Sequence, residues 1–141
     1  MRRQCWFLRY YRTMISSKQL RLARLAMGWG WLALVCYGSL TPSPPQVDIS
    51  NFDKVEHFTA YAFPMFWFAL LYPGLGRRLT IAGLLVGMGI AIEFLQGMTP
   101  YRTYDTLDML ANSTGVAIGW LLVRSQLGTL VERVLRLSTK N

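Results

Sequence analysis

Apolar residues fall into four blocks that short polar segments separate. The blocks run from about 25–40, 55–72, 79–98 and 106–123. The third block has twenty residues, which matches the roughly 20 residues that a helix needs to cross the hydrocarbon of a bilayer. Pro64 lies inside the second block and predicts a kink there. The pattern predicts an all-α fold, a bundle of four transmembrane helices.

Both ends of the chain differ from these blocks. Residues 1–24 are basic and aromatic, which predicts a juxtamembrane segment on the membrane surface. Residues 25–123 then form the four-span membrane domain. Residues 124–141 carry leucines and valines at helical spacing among arginines, which predicts a short amphipathic cytoplasmic tail. Its apolar face would hold Leu127, Leu130, Val131, Val134 and Leu137.

Charge placement indicates the orientation of the bundle. The chain has 141 residues, of which 52% are hydrophobic and 16% charged, well below the usual quarter for soluble domains. Of its 15 Lys and Arg residues, all but Lys54 and Arg102 lie in the two ends or in the turn after the second block. The positive-inside rule therefore predicts that both termini are cytoplasmic. The net charge of +8 flanks apolar blocks, and no zinc-finger spacing accompanies it, so no nucleic-acid partner is expected.

On this topology, polar side chains gather near the outer side of the membrane. The residues expected to form a ligand-binding site are Lys54, His57, Glu93, Gln96, Arg102, Asp108 and Asn112. Helical spacing places Asp53, His57 and Tyr61 on one face of the second span. Asp105, Asp108 and Asn112 share a face at the start of the fourth span.

Glu93 is the most informative of these residues because its own span is otherwise apolar. A lipid-exposed carboxylate there would cost on the order of 2–3 kcal/mol. Glu93 must therefore face the bundle interior and find a partner, with His57 and Arg102 as candidates. We expect His57, Glu93, Arg102 and Asp108 to converge. Such residues are functional by default, and a purely structural ion pair is the alternative.

Simpler roles also apply to several polar and small residues. Asp53 and Asp105 each precede an acidic residue at the third following position, a pattern typical of helix N-caps. Gln96 and Asn112 could form interhelical hydrogen bonds. Two glycine pairs, Gly83 with Gly87 and Gly115 with Gly119, would let neighbouring helices approach closely.

Three motifs carry a resemblance to a known family. Asp53-Lys54-Val55-Glu56-His57-Phe58 with Tyr61 resembles the D-K-x-x-H-F-x-x-Y opening of VanZ-like membrane proteins. Glu93 and Gln96 resemble its E-x-x-Q, and the stretch 102–115 resembles its R-x-x-D-x-x-D-x-x-x-N-x-x-G. The resemblance implies a multi-pass protein of the bacterial cytoplasmic (inner) membrane that acts in the cell envelope. The founding member of that family is linked to low-level teicoplanin resistance, an antibiotic-resistance role.

Three hypotheses for function follow. The first is a site that binds an anionic envelope lipid or a glycopeptide-related ligand, because two helix N-termini, Lys54 and Arg102 supply positive charge. Arg102 offers a planar fork to phosphate oxygens. The second is an enzyme in which His57 and Glu93 are the candidate catalytic acid and base. The third is a structural role for the polar residues.

Metal and thiol chemistry receive little support from the sequence. A single histidine excludes a His-rich zinc site, although a carboxylate-bound metal stays open. We therefore expect no metal and no cofactor. Cys5 and Cys36 lie at different depths, so a disulfide between them is not expected, and no Ser or Cys occupies an evident nucleophile position.

Overall fold

The computed structural model describes residues 17–42 and 52–137, with side chains described for 19–42 and 54–135. In these ranges the chain forms five helices and no strand, which confirms the predicted all-α class. They are α1 (Ser17–Leu40), α2 (Phe52–Leu71), α3 (Leu75–Gly97), α4 (Thr106–Val123) and α5 (Gln126–Leu137). Most of the basic N-terminal segment, the Pro-rich 43–51 segment, the Asp53 side chain and the last four residues lie outside these ranges.

By length and composition, two of the described helices could cross a membrane, and these are α3 and α4. The sequence pattern predicted four such helices, so composition alone supports only half of that number. The other two fall short for physical reasons. The apolar part of α1 follows Arg24 and is diluted by Trp, Tyr and Gly, whereas α2 opens with Lys54, Glu56 and His57.

Helix α2 lies at the centre of the bundle. Its residues Tyr61, Met65 and Ala69 are buried in the main apolar cluster. Helix α4 approaches α2 so closely that a Cβ on Gly115 or on Gly119 would overlap a carbonyl oxygen of α2. The predicted close approach at these two glycines is therefore confirmed.

The glycine pair on α3 has a different environment. An added Cβ on Gly83 or Gly87 would meet nothing within 4 Å, so the predicted close approach of a neighbouring helix at this pair is wrong within the described chain. Helix α3 packs through Gly89 instead, where an added Cβ would lie 3.2 Å from Asn112 Cβ and 3.3 Å from Tyr61 Cε1. The spacing of Gly83 and Gly87 therefore marks the outer face of the helix, where both glycines are exposed.

Pro64 leaves one backbone carbonyl of α2 without its helical partner. Proline has no N–H, so the residue four positions earlier, Ala60, loses its intrahelical hydrogen bond. The indole Nε1 of Trp31 in α1 donates to the Ala60 carbonyl oxygen over 3.1 Å. Helix α2 runs through Pro64 without a break, and Trp31 supplies the missing donor while joining α1 to α2.

The C-terminal end of α1 is satisfied in the same way. The last turn of any helix leaves carbonyls without intrahelical donors. Gln96 Nε2 donates to Ser39 over 2.9 Å, and the Tyr101 hydroxyl donates to Leu40 over 2.9 Å. The Arg102 guanidinium donates to Gly38 over 3.1 Å and to Thr41 over 3.4 Å. Three side chains from α3 and the 98–105 loop therefore cap α1.

The Trp31–Pro64 relationship predicts a specific coupling. Trp31→Phe keeps an aromatic ring and removes the indole donor, so it should lower the free energy of unfolding by about 1–3 kcal/mol, the cost of an unsatisfied buried carbonyl. Pro64→Ala restores an N–H for Ala60, and the same Trp31 change should then cost clearly less. Thermal unfolding in detergent of the two single variants and the double variant measures this. Equal costs in both backgrounds would contradict the assignment, and Trp29→Phe at an exposed indole of the same helix is the control.

The capping of α1 predicts that Arg102 stabilises the bundle. Arg102→Met should lower the melting temperature in detergent by several degrees, because carbonyls at a helix end lose a charged donor. Arg102→Lys, which keeps the charge with a shorter donor reach, should give a smaller loss. Arg77→Met removes an exposed arginine at the start of α3 and should change the melting temperature little. Equal melting temperatures for Arg102→Met and wild type would refute the capping role.

Candidate functional site

Four helix ends meet at one end of the bundle, which we call the polar end. It contains the C-termini of α1 and α3 and the N-termini of α2 and α4, as the contacts of Lys54 with Asp105 and of Gln96 with Ser39 demonstrate. The buried polar side chains of the described chain all lie here: Glu93, Gln96, Asp108 and Asn112. Neighbouring helices therefore alternate in direction, and their polar residues share one level.

Glu93 is the innermost group of the polar end, with none of its surface exposed. Its Oε1 accepts a hydrogen bond from the backbone N–H of Asp105 over 2.7 Å. Its Oε2 is buried and has no hydrogen-bond partner among the described residues. The carboxylate thus has one oxygen fixed by the 98–105 loop and one oxygen unpartnered.

His57 links α2 to α4. Its Nδ1 lies 3.2 Å from the side-chain oxygen of Asn112, and its Nε2 lies 3.5 Å from Asp108 Oδ2. An amide oxygen only accepts, so this arrangement assigns the proton to Nδ1. Nε2 then faces the Asp108 carboxylate, and the two groups can share a proton or a cation.

Lys54 joins the N-termini of α2 and α4. Its ammonium lies 2.7 Å from Asp105 Oδ2 and also pairs with Asp108. Asp105 accepts the N–H of Leu107 over 2.8 Å, which confirms it as the N-cap of α4. The Lys54 ammonium, and then the Leu107 N–H, hold the pKa of Asp105 below its ordinary value because both stabilise the carboxylate.

Exposure falls steadily from the surface to Glu93. The side chains of Lys54 and Asp105 are 30% and 36% exposed, those of His57 and Asp108 are 13% and 10% exposed, and Glu93 is fully enclosed. A ligand group could therefore reach the interior of the polar end from the side of Lys54.

Three of the predicted site residues form a compact set. One ligand atom each from His57, Glu93 and Asp108 lies within 4.8 Å of the others. Arg102, expected to join them, has hydrogen bonds to the α1 carbonyls instead, and Gln96 donates to α1 as well. Asn112 supports His57, and Lys54 supports Asp108. The set is chemically able to hold a cation or to relay a proton.

Asp105 has a larger part than its sequence position indicated. The acidic pattern predicted an N-cap, which the structure confirms. The same residue also holds Glu93 through its backbone N–H and pairs with Lys54 through its side chain. A backbone donor has no sequence signature, so the Glu93–Asp105 contact could not be predicted.

Comparison with known proteins adds the family. A curated relative, an uncharacterized protein of Schizosaccharomyces pombe, is 32% identical over 81 residues, or 55% of this chain. The chain spans about half the length of that relative, since the match covers 50% of it. No solved structure matches the chain. The sequence profile described as VanZ/LLP1 matches residues 8–130, which is most of the chain. The chain therefore belongs to the VanZ/LLP1 family.

Proposed function

We propose that the protein crosses the bacterial cytoplasmic membrane four times, with both ends inside, and that its polar end binds the headgroup of an anionic envelope lipid on the outer side. The observation that carries this proposal is the enclosed polar set of His57, Glu93 and Asp108, which opens toward Lys54 at one end of an apolar bundle. The other observations concern how the helices face their surroundings.

The outer surfaces of the helices are apolar. On α1, Trp29 and Leu34 are 63% and 61% exposed, and on α3 and α4, Leu84 and Leu110 are 69% and 63% exposed. Soluble monomers seldom expose large apolar surfaces of this kind. Lipid contact explains them, and it extends to α1, which composition alone does not identify as a span.

Helix α2 has a different reason for its modest apolar character. Residues 61–70 are almost all buried by the other helices, so α2 needs little lipid-facing surface. Its polar first turns point into the polar end, where Asp108 and Asn112 engage them. An enclosed span can carry such groups because protein, and not lipid, surrounds them.

Charge and amphipathicity at the opposite end support the orientation. Arg78 and Arg124 lie at helix termini away from the polar end, and Arg24 lies about two turns inside the N-terminus of α1. Helix α5 packs there, with Arg24 donating to the carbonyl of Leu135 over 2.9 Å. Leu127, Leu130 and Val134 on α5 are more than half exposed, as expected of a helix that rests on the inner membrane surface.

The headgroup assignment rests on depth and access. Glu93 lies four residues before the end of α3, about 6 Å along the helix axis, which is the depth of a lipid headgroup boundary in a four-span arrangement. Lys54, whose side chain is 30% exposed, can contact phosphate while it pairs with Asp105. Arg102 caps α1, so phosphate recognition does not depend on it in this proposal.

The four-span arrangement predicts the outcome of reporter fusions. A fluorescent protein fused after Asn141 should be fluorescent in the cytoplasm, because the positive-inside rule places that end inside. An alkaline phosphatase inserted at Ser50 should be active, because the four-span arrangement exports that segment. An inactive phosphatase at Ser50 with full expression would reverse the orientation or reduce the number of spans.

Headgroup binding predicts selective loss of bound lipid. Glu93→Gln keeps an acceptor for the Asp105 N–H, so the bundle should stay folded. The variant loses the carboxylate that would hold a proton or a cation beside the headgroup, so co-purifying anionic lipid should fall at least about fivefold. His57→Asn should act similarly, and Glu56→Gln, at an exposed carboxylate one residue from His57, should retain wild-type lipid. Mass spectrometry of protein purified from a bacterial membrane in mild detergent measures the lipid.

Two results of that experiment would replace the proposal. Wild-type protein that converts an added lipid extract to a new product, with Glu93→Gln inactive, would favour the acid–base enzyme. A large loss of thermal stability in both Glu93→Gln and His57→Asn, with no lipid difference among folded variants, would favour a structural role for the polar set.

A further inference from the structure

The three enclosed side chains of the polar end share one arrangement. His57 uses Nδ1 on Asn112, Glu93 uses Oε1 on the Asp105 N–H, and Asp108 pairs with Lys54. Each therefore has one atom held by a second residue, and one ligand atom from each of the three lies within 4.8 Å of the others. Metal ligands in proteins are typically fixed in this way, with an outer partner on the atom that does not coordinate.

The charge of the polar end is unbalanced. Glu93, Asp105 and Asp108 are carboxylates, and Lys54 is the ammonium that pairs with two of them. These three acidic residues outnumber Lys54, and Arg102, another cation of the polar end, donates to α1 carbonyls. Enclosed charge of one sign is costly unless a counter-charge is present. A divalent cation would neutralise the set.

Three buried side-chain atoms of the described chain have no hydrogen-bond partner; one is Arg102 Nε, and the other two lie on Glu93 and Tyr61. Glu93 Oε2 is fully enclosed and has no hydrogen-bond partner among the described residues. The hydroxyl of Tyr61, a residue only 1% exposed, also has none within the described chain. Tyr61 follows His57 by one helical turn, and its ring packs beside Gly89, one turn before Glu93. Unsatisfied polar atoms in a native interior require an explanation, and an ion with its water provides one.

We propose that His57 Nε2, Glu93 Oε2 and Asp108 Oδ2 bind one divalent metal ion, with zinc as the best fit. One imidazole and two carboxylates form a three-ligand set that suits zinc and leaves a fourth position for an oxygen ligand. This inference rests on the proposed function, because the fourth position would accept a headgroup phosphate oxygen. It departs from the expectation from sequence that no metal is bound.

Geometry sets one requirement on binding. Ligand atoms around a tetrahedral zinc lie roughly 3.3 Å apart, since zinc–ligand distances are about 2.0–2.1 Å. His57 Nε2 and Asp108 Oδ2 are 3.5 Å apart, and the full set lies within 4.8 Å. The ligand atoms from α2 and α4 are therefore close to the spacing that a tetrahedral zinc requires.

Lys54 gives the proposal a distinctive signature. Its ammonium shares Asp108 with the proposed ion, so the two cations compete for the charge of one carboxylate. Lys54→Met should lower the stability of the metal-free protein and increase the rise in melting temperature that zinc produces. A purely structural ion cluster predicts no zinc-dependent rise in any variant.

The test uses the full chain in lipid nanodiscs after treatment with a chelator. Isothermal titration with Zn²⁺ should give one site per chain, and Glu93→Gln and Asp108→Asn should each weaken it at least tenfold. Glu56→Gln is the matched control and should bind like wild type. X-ray absorption of the zinc-loaded protein should show nitrogen and oxygen ligands without sulfur. No saturable site below about 1 mM, unchanged affinity in the two variants, or sulfur coordination would each overturn the proposal.

The two proposals can fail separately. Wild-type protein that retains anionic lipid but shows no saturable zinc site would refute the metal inference and leave headgroup binding intact. A stoichiometric zinc site with no lipid bound, and with no lipid effect on zinc affinity, would support the metal inference and refute headgroup binding. Size-exclusion chromatography of the Glu93→Gln variant is the folding control. A folded, monodisperse species means that its loss of zinc or lipid reflects the site and not misfolding.

Discussion

The rest of the polar end depends on one constraint: the Glu93 carboxylate, on the otherwise apolar helix α3, is buried inside the bundle. Its one assigned partner, the backbone N–H of Asp105, fixes where the 98–105 loop lies against α3. That position sets the start of α4, because Asp105 is also its N-cap. The side chain of Asp105 then meets Lys54 and brings in the N-terminus of α2. One buried charge therefore determines how three helices meet.

The same rule governs the backbone of the bundle. Where water is absent, every exposed carbonyl at a helix end or beside a proline needs a donor from elsewhere in the protein. Trp31 serves Ala60 opposite Pro64, and Arg102 serves the last turn of α1. These contacts cross between helices because the donors are long side chains. The hydrogen bonds that satisfy these carbonyls therefore also hold the helices together. They join α1 to the bundle at Trp31 and again at its C-terminus.

Sequence patterns predicted the helices well and the contacts unevenly. The start of α4 at Thr106, the cap at Asp105 and the close approach at Gly115 followed from local rules. Arg102 could not be assigned, because a guanidinium suits a phosphate and a row of carbonyls equally, and only the fold shows which is near. Gly83 and Gly87 have the spacing of a packing face but lie on the outside of α3. Spacing shows which residues share a helix face. It does not show whether that face packs against another helix or lies on the outside of the bundle.

Sequence reasoning and structure differ most on whether the net charge of the site is positive or negative. Counting Lys54, Arg102 and two helix N-termini gives a positive site that would attract a phosphate. In the folded chain Asp105 caps the N-terminus of α4, and the Arg102 guanidinium donates to a carbonyl at the end of α1. The acidic groups near Lys54 then outnumber its ammonium, which weakens the attraction of this end for a bare anion. A cation held by His57, Glu93 and Asp108, as proposed above, would strengthen that attraction. In the two proposals, cation and lipid headgroup would be complementary ligands of one site, because the cation would neutralise the carboxylates and the headgroup would complete the coordination of the cation.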